Sequence, residues 1–268
     1  MRIATLFTLL LLFTFRVQSA NDNTSADAQA MALGGASVAL VNVYGNYNNQ
    51  AVLAFAESPI VATSYSNSFS LNDARVMAVL PSSYGSIGIN VSRYGSSLYS
   101  EVKGAASFSR SFGDNFSASL QADVLSVQPS PDEESIYAFT AEMGIWARPV
   151  ENLTIGFHIY NFINAKYDAL YYEETIPVNM KLGLGYSIFD NFMLTAELEN
   201  SSIYGTSLRG GMEYYIVDQV VLRTGGASNP ALASIGLGVV LAGFHLDVAA
   251  QAVRYIGKTG AVSLSYAF

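Results

Sequence analysis

The sequence predicts an all-β protein, a transmembrane antiparallel β-barrel of about fourteen strands. Three observations predict this fold class. The chain of 268 residues is 51% hydrophobic and only 13% charged, and that charged fraction is about half that of an ordinary soluble domain. Long segments alternate between apolar residues on one parity and small or polar residues on the other, which is strand periodicity. The alternating segments are even in number, as bacterial single-chain barrels require.

Composition excludes several classes of protein. The formal net charge of −8 argues against a nucleic-acid partner. The absence of cysteine excludes a disulfide scaffold, a thiolate metal site and a cysteine nucleophile. The high hydrophobic fraction excludes intrinsic disorder.

The first twenty residues have the pattern of a secretory signal. Arg2 precedes the uncharged apolar run 4–15, and small residues at 19–20 offer a cleavage point. The run is too short for a helical membrane span. We therefore expect export of the chain, with a signal peptide at 1–20, and a location in the bacterial outer membrane.

The alternation begins after residue 60 and continues to the end of the chain. In one example, Met180, Leu182 and Leu184 alternate with Lys181 and Gly183. A soluble sandwich would turn its apolar parity inward, whereas a barrel in lipid would turn it outward. The Gly, Ser and Ala of the other parity suit a crowded lumen, so we expect the barrel, in contact with outer-membrane lipid. The predicted strands are 61–69, 75–81, 84–94, 102–112, 116–127, 135–148, 152–163, 177–188, 192–200, 206–216, 219–226, 232–241, 243–255 and 260–268.

The connections between these strands predict which end faces the periplasm. Tight, turn-like connections alternate with mostly longer ones, and short turns are typical of the periplasmic end. Boundaries read from a sequence shift by a few residues, so twelve strands is an alternative. The last strand ends with Tyr266 and Phe268 at alternate positions. This pattern resembles the C-terminal strand recognised by the outer-membrane assembly machinery, which would be a partner of this chain.

Residues 21–60 lack strand periodicity, and we expect a plug or hatch there, followed by a barrel over 61–268. The segment contains Gly34 and Gly35, then Asn49, Gln50 and Ala51. It resembles the opening of the PorV/PorQ family of Bacteroidota outer-membrane barrels, which is related to the FadL family. That family has Asn-Pro-Ala where this chain has Gln50 in the middle position, and Gln does not fix the backbone as Pro does.

The inward parity of the barrel carries charged side chains of both signs. Mixed charges in a confined lumen predict ion-pair networks that fill and rigidify it, with a polar solute pathway as the alternative. The network residues are Lys103, Asp123, His158, Lys181, Glu197, Arg209, Glu213, Arg223 and Asp247. Only two histidines occur, and neither lies in a motif that pairs a nucleophile with a base. We therefore expect no catalytic site, metal site or cofactor.

Two functions are compatible with these features. The resemblance to PorV/PorQ implies a membrane-anchored docking subunit of a type IX-like secretion system or an outer-membrane assembly system, with secretion subunits or secreted cargo as partners. The longest loop, 164–177, would then present an aromatic and acidic contact surface. Its contact residues are Tyr167, Asp168, Tyr171, Tyr172 and Glu173. The alternative is a FadL-like channel for uptake of hydrophobic small molecules.

Overall fold

The computed structural model describes residues 21–24, 27–68, 71–169, 172–254 and 257–268. The predicted signal peptide at 1–20 lies outside the described residues. Fourteen antiparallel strands close into a barrel, so the predicted fold class is confirmed and the twelve-strand alternative is wrong. The strands are β1 (Ile60–Ser68), β2 (Leu71–Ser82), β3 (Gly85–Gly95), β4 (Ser100–Ser111), β5 (Phe116–Gln128), β6 (Ile136–Val150), β7 (Leu153–Tyr160), β8 (Lys166–Ala169), β9 (Tyr172–Thr175), β10 (Asn179–Phe189), β11 (Phe192–Ser201), β12 (Gly205–Val217), β13 (Val220–Ser228), β14 (Ala231–Leu241), β15 (Phe244–Val253) and β16 (Gly257–Ala267).

The barrel closes between its first and last strands. Ile60 of β1 lies opposite Ala267 of β16, and the pairing runs through to Asn67 and Gly260. Every other barrel strand pairs with its neighbour in the chain, except that β7 pairs with β10. Strands β8 and β9 form a separate hairpin, which occupies the segment predicted as the longest loop. Closure pairs both edges of the barrel sheet, as a lipid environment demands.

The two ends of the barrel differ in the length of their connections. At the end that holds Ile60 and Ala267, five of the six turns between barrel strands contain two residues. The other end carries the longer connections, including 96–99, 129–135 and 161–178. We call these the periplasmic end and the outer end, because short turns mark the periplasmic side of such barrels.

The outward parity of the strands is apolar and exposed. Along β10, Met180, Leu182 and Leu184 are exposed, while Lys181 and Gly183 between them are buried. This is the alternation that the sequence predicts. This pattern is the inverse of that in a soluble protein, because polar residues are buried and apolar residues are exposed. The outer surface is therefore suited to contact with lipid. Among the described residues, none of the helices is long and apolar enough to cross a membrane.

The segment before β1 lies inside the barrel. It contains α1 (Ala28–Ala32), α2 (Gly45–Asn48) and a 3-10 helix at Gln50–Phe55. We call described residues 21–24 and 27–59 the hatch. Nearly all its residues from 27 to 53 are buried. Near the periplasmic end, Val52 and Leu53 pack with Met77, Val79 and Trp146 of the inner wall, so a small apolar core holds this part of the hatch.

Aromatic rings pack at the periplasmic end of the last strand. The ring of Tyr266 lies 4.5 Å from that of Phe244 and 4.9 Å from that of Phe268, measured between centroids. The backbone N–H of Phe268 donates to the carbonyl of Pro59 at 3.0 Å. These contacts place the C-terminus at the barrel seam. Recognition of Tyr266 and Phe268 by assembly machinery stays a prediction.

Candidate functional site

Glycines of the inner wall let the hatch backbone approach the strands closely. A Cβ at Gly225 would overlap the carbonyl carbon of Leu33, and one at Gly156 would overlap the carbonyl of Val38. At Gly183, an added Cβ would instead overlap the side-chain Cγ1 of Val38. The Gly-rich inner parity of the sequence therefore marks where the hatch contacts the wall.

Gly34 and Gly35 end α1 and turn the hatch along the wall. Their φ angles are +68° and +89°, in the region that glycine adopts at little steric cost. The Gly35 N–H donates to the carbonyl of Ala30 at 2.8 Å, which satisfies a C-terminal carbonyl of the helix. The side-chain oxygen of Ser234 accepts from Gly34 N–H at 3.1 Å and donates to the carbonyl of Ala32 at 2.9 Å. The predicted hatch motif is thus a helix cap docked on β14.

Asn49, Gln50 and Ala51 dock the 3-10 helix on three strands. Asn49 Nδ2 donates to the carbonyls of Val38 and Ile145, at 2.8 and 3.1 Å. Hydroxyls of the wall donate to the carbonyls of Gln50 and Ala51, at 2.6 and 2.8 Å. Gln50 Nε2 donates to Glu142 Oε2 at 2.7 Å. Gln50 therefore supplies a side-chain bond to the wall that a proline could not make.

The first lumen network centres on Glu142. Its Oε1 pairs with Lys103 Nζ, and its Oε2 lies 2.8 Å from His158 Nε2. Lys103 Nζ also lies 3.5 Å from Asp123 Oδ1. All four residues are almost fully buried, and a buried charge persists only where partners surround it. Because Gln50 bonds the same carboxylate, this network holds the hatch as well as the wall.

Two further networks hold the hatch in the same way. Arg223 Nε donates to Glu213 Oε2 at 2.5 Å, and its Nη1 pairs with Asp247. Glu213 Oε2 also accepts from Gln29 of α1 at 3.1 Å.

In the third network, Arg209 pairs with Glu199 and lies 3.5 Å from Glu197. Glu197 Oε2 accepts the backbone N–H groups of Ser37 and Val38, at 2.8 and 2.9 Å. Each of the three networks thus contains a carboxylate that bonds the hatch. Lys181, also predicted as a network residue, contacts the hatch through its own Nζ, which lies 3.5 Å from the carbonyl oxygen of Asn23.

A cavity of about 80 Å³ lies at the outer end of the lumen, beside the first described residues of the hatch. The tyrosine rings give it apolar walls, and the charged groups give it polar ones. Its lining residues are Asn21, Asp22, Asn23, Thr24, Tyr47, Asp73, Arg75, Ser92, Tyr94, Glu101, Lys103 and Tyr160. Except for Lys103, none of these is among the site residues predicted from the sequence. The sequence parity that places Lys103 inward also places Glu101 inward, so Glu101 could have been predicted as a lumen residue.

Arg75 is the cation on one side of this cavity. Its guanidinium bonds both carboxylate oxygens of Asp73, at 2.8 and 2.5 Å, and donates to Thr24 Oγ1 at 3.0 Å. It also lies 4.0 Å from the ring centroid of Tyr47. Because these groups already satisfy the charge, Arg75 rigidifies the cavity wall.

Asp22 and Asn23 carry buried polar atoms at the cavity that have no hydrogen-bond partner within the described part of the chain, namely Asp22 Oδ1 and both side-chain polar atoms of Asn23. Burial raises the pKa of Asp22 from 3.8 to about 6, against a hydrogen bond from Tyr204 that lowers it. Neither Asn23 Nδ2 nor Asn23 Oδ1 has a hydrogen-bond partner among the described residues. A buried amide without partners is unfavourable by roughly 1–3 kcal/mol, so a ligand that bonds it would bind more tightly.

The predicted partner-contact loop is divided by the structure. Tyr167 is 1% exposed, and its hydroxyl accepts from Asn21 Nδ2 at 2.5 Å. Asp168 is exposed. Tyr171 lies outside the described residues, and Tyr172 and Glu173 are described only as backbone of β9. Tyr167 therefore faces the lumen, and contact with a partner stays a prediction for the others.

The fold of the chain is similar to that of several solved transporter structures. No family model and no curated protein match the sequence. The toluene transporter TodX of Pseudomonas putida matches with a TM-score of 0.71 and 10% identity, over 92% of this chain and 99% of that chain. The toluene transporter TbuX of Ralstonia pickettii gives 0.68 and 10%, over 92% and 99%. A FadL homologue of Pseudomonas aeruginosa gives 0.66 and 14%, over 95% and 99%.

These likenesses show a fold that this chain shares with the two toluene transporters and the FadL homologue. At such low identity they show the fold alone. They support the FadL-like part of the predicted resemblance, whereas the PorV/PorQ family, a Bacteroidota origin and a link to type IX secretion stay predictions.

Proposed function

We propose that this chain is a FadL-like channel of the bacterial outer membrane that takes up small hydrophobic molecules bearing a polar group. The cavity at the outer end of a hatch-filled lumen is the observation that carries this proposal. The similar structures support it, since they are described as toluene transporters and a FadL homologue.

The chemistry of the cavity favours a small polar-substituted aromatic compound. The rings of Tyr47, Tyr94 and Tyr160 offer apolar and aromatic contact. A plain hydrocarbon would leave the Asn23 amide unsatisfied and would remove water from Asp22 and Glu101. A hydroxyl group can donate to Asn23 Oδ1 and accept from its Nδ2. Phenol therefore fits these groups better than toluene.

Binding of phenol and toluene to the purified barrel in detergent tests this function. We expect saturable binding of phenol, tighter than that of toluene, and a loss of about tenfold in Asn23→Leu, which corresponds to one hydrogen bond of about 1.4 kcal/mol. Asn67→Leu is the matched control, because Asn67 bonds its own hairpin away from the cavity. Absence of saturable binding of both compounds would refute the channel; tighter binding of toluene would refute only the polar ligand class.

Docking in a secretion or assembly system is the competing function. In the contact loop predicted for docking, the side chain of Tyr167 is buried in the lumen. That position favours a role of Tyr167 in filling the barrel over contact with a partner. Purification from detergent extracts under mild conditions separates the two functions. A stable stoichiometric partner supports docking, whereas an isolated monomer that binds phenol supports the channel.

A further inference from the structure

The lipid-facing side of β2 and β3 changes from apolar to polar at the outer end of the barrel. An open depression of about 520 Å³ is lined there by Asn72, Arg93, Ser96 and Ser97, and we call it the rim depression. Arg93 continues the exposed outward parity of Ile89 and Val91 along β3. Asn72 of β2 lies opposite Gly95, two residues beyond Arg93 on the same face. Both side chains therefore face outward beside the depression.

The rim depression presents hydrogen-bond donors. Asn72 Oδ1 accepts from the Tyr65 hydroxyl and from Asn67 Nδ2, both at 2.7 Å. Because this oxygen is engaged twice, the Nδ2 of Asn72 is the atom left to donate to a ligand. The guanidinium of Arg93 donates to the carbonyl of Ser96 at 3.4 Å. A guanidinium has five N–H groups in a fork that matches two oxygens of a phosphate, so the depression is suited to an anion.

The charge at this end of the lipid-facing surface is positive. Within the described barrel strands, the outward-facing charged residues at the outer end are Arg93 and Lys258, and neither forms an ion pair with a described residue. Lys258 lies on β16, two residues beyond Gly260, which is opposite Asn67 of β1. Four cations of the lumen, in contrast, are each paired with a carboxylate, namely Arg75, Lys103, Arg209 and Arg223. The two outward cations are thus available to an external anion.

The surface adjoining the rim depression on its periplasmic side is apolar. Val76 of β2 and Val91 of β3 lie opposite each other and are 63% and 52% exposed. Tyr65 is exposed on the same face, and tyrosine rings commonly lie at the level of lipid headgroups. A soluble anion would use only the donors, and a neutral lipid only the apolar face. An anionic lipid uses both, because basic side chains at a membrane surface attract anionic headgroups.

We propose that the rim depression binds the phosphorylated sugar headgroup of an outer-leaflet glycolipid. Arg93 bonds a phosphate, and the amide and hydroxyl groups of the depression bond the sugar. Lys258 is three strands from Arg93, a lateral separation of about 14 Å at about 4.8 Å per strand, so it contacts a second anionic group of the headgroup. The inference rests on the outer-membrane location in the proposed function and not on what the channel carries.

Binding of diphosphorylated lipid A to the purified barrel in mixed detergent micelles tests the proposal. We expect saturable binding that weakens at least about tenfold in Arg93→Gln, because a bidentate guanidinium–phosphate contact is charge-assisted. Arg93→Lys keeps the charge but not the fork, so its affinity should be intermediate. Arg110→Gln is the matched control, because Arg110 is an exposed, outward-facing arginine at the periplasmic end of β4. Its affinity should equal that of the wild type.

Lys258→Gln keeps the test decisive if Arg93→Gln does not fold, and we expect a loss of about fivefold, as for one basic residue at an anionic lipid surface. Arg93→Gln decides when it folds, and Lys258→Gln decides when it does not. Equal affinity of the deciding variant and the wild type would overturn the proposal, as would an equal loss in Arg110→Gln.

Two further outcomes separate the source of the phosphate and the two proposals. Excess inorganic phosphate should leave lipid A bound; complete displacement would show that the depression takes a free anion and would refute the glycolipid. A barrel that binds phenol saturably but not lipid A refutes this inference and leaves the channel intact. Saturable binding of lipid A without binding of phenol or toluene supports the glycolipid site and refutes the channel.

Discussion

Glu197 gives the sharpest test of how the hatch is held, because one of its oxygens accepts two backbone N–H groups. In Glu197→Ala, the N–H groups of Ser37 and Val38 lose acceptors at 2.8 and 2.9 Å. Each buried donor left without a partner is unfavourable by roughly 1–3 kcal/mol. The variant should therefore lose about 2–6 kcal/mol of the free energy that docks this segment. Arg209 keeps its pair with Glu199, so the wall retains its own charge balance.

Hydrogen–deuterium exchange of the backbone measures this loss directly. A loss of 2 kcal/mol or more predicts exchange at Ser37 and Val38 that is faster by about thirtyfold or more. Glu197→Gln keeps an acceptor oxygen but not the charge, so its effect should be intermediate. Glu199→Ala is the control, because Glu199 lies on the same face of β11 and bonds Arg209. If Glu199→Ala accelerates exchange at these two amides as much as Glu197→Ala does, docking through the Glu197 acceptor is refuted.

Three other predictions concern the charge, the packing and the lipid face. Burial raises the pKa of Asp27 from 3.8 to about 6, so its stabilising contribution is present below pH 4 and is lost as pH rises through 6. Amide exchange of α1, corrected for intrinsic rates, should therefore become faster from pH 4 to 7, as the free energy of opening falls by up to roughly 3 kcal/mol. The change should be smaller in Asp27→Asn. Gly225→Ala would press a Cβ against the hatch backbone, and limited proteolysis should cut its hatch faster; Gly104→Ala, with no atom within 4 Å of the added Cβ, should match the wild type. Leu237→Arg, at the middle of β14, should lower the free energy of unfolding in lipid vesicles by about 2–4 kcal/mol, and Leu241→Arg, near the turn, should lower it by about 0–1 kcal/mol. Equal losses of the two variants in urea titrations would contradict the assigned membrane depth.

Asp27→Asn should fold because its neighbours can adapt. Asp27 accepts from the Ala30 N–H at 2.8 Å, which caps α1, and from Asn48 Nδ2 at 3.0 Å. An Asn oxygen can cap the helix equally well. Asn48 Oδ1 has no partner among the described residues, so a flipped Asn48 amide could accept from the new side-chain nitrogen.

The barrel could be predicted from the sequence because lipid and lumen impose opposite rules on alternate residues. A strand with Leu182 outward and Lys181 inward has one register that suits both environments. Strand ends were less predictable: β2 begins at Leu71 and not at 75, because Asn72 and Asp73 continue the ladder with polar side chains. The β8–β9 hairpin was missed because its polar and aromatic residues resemble those of a loop.

The hatch contacts could be predicted only in part. Sequence parity placed Glu197 and Glu213 in the lumen. Their partners in the hatch are backbone N–H groups for Glu197 and the Gln29 side-chain amide for Glu213, and the hatch has no periodicity from which these contacts could be predicted. The pairing of Glu142 with Gln50 joins residues 92 positions apart, and one sequence contains no signal for such a contact. The Gly-rich inner parity did indicate a crowded lumen, although not what filled it.

The distribution of these contacts indicates where the hatch opens first. Near the periplasmic end, Val52 and Leu53 lie in an apolar core with Trp146, and moving them would expose that surface to water. At the outer end, residues 21–24 are held by hydrogen bonds and charges that a polar ligand can replace one for one. A molecule that arrives from outside meets this replaceable end first. We therefore expect residues 21–24 to exchange their amide hydrogens before residues 45–55, and phenol to change the exchange of the former and not of the latter.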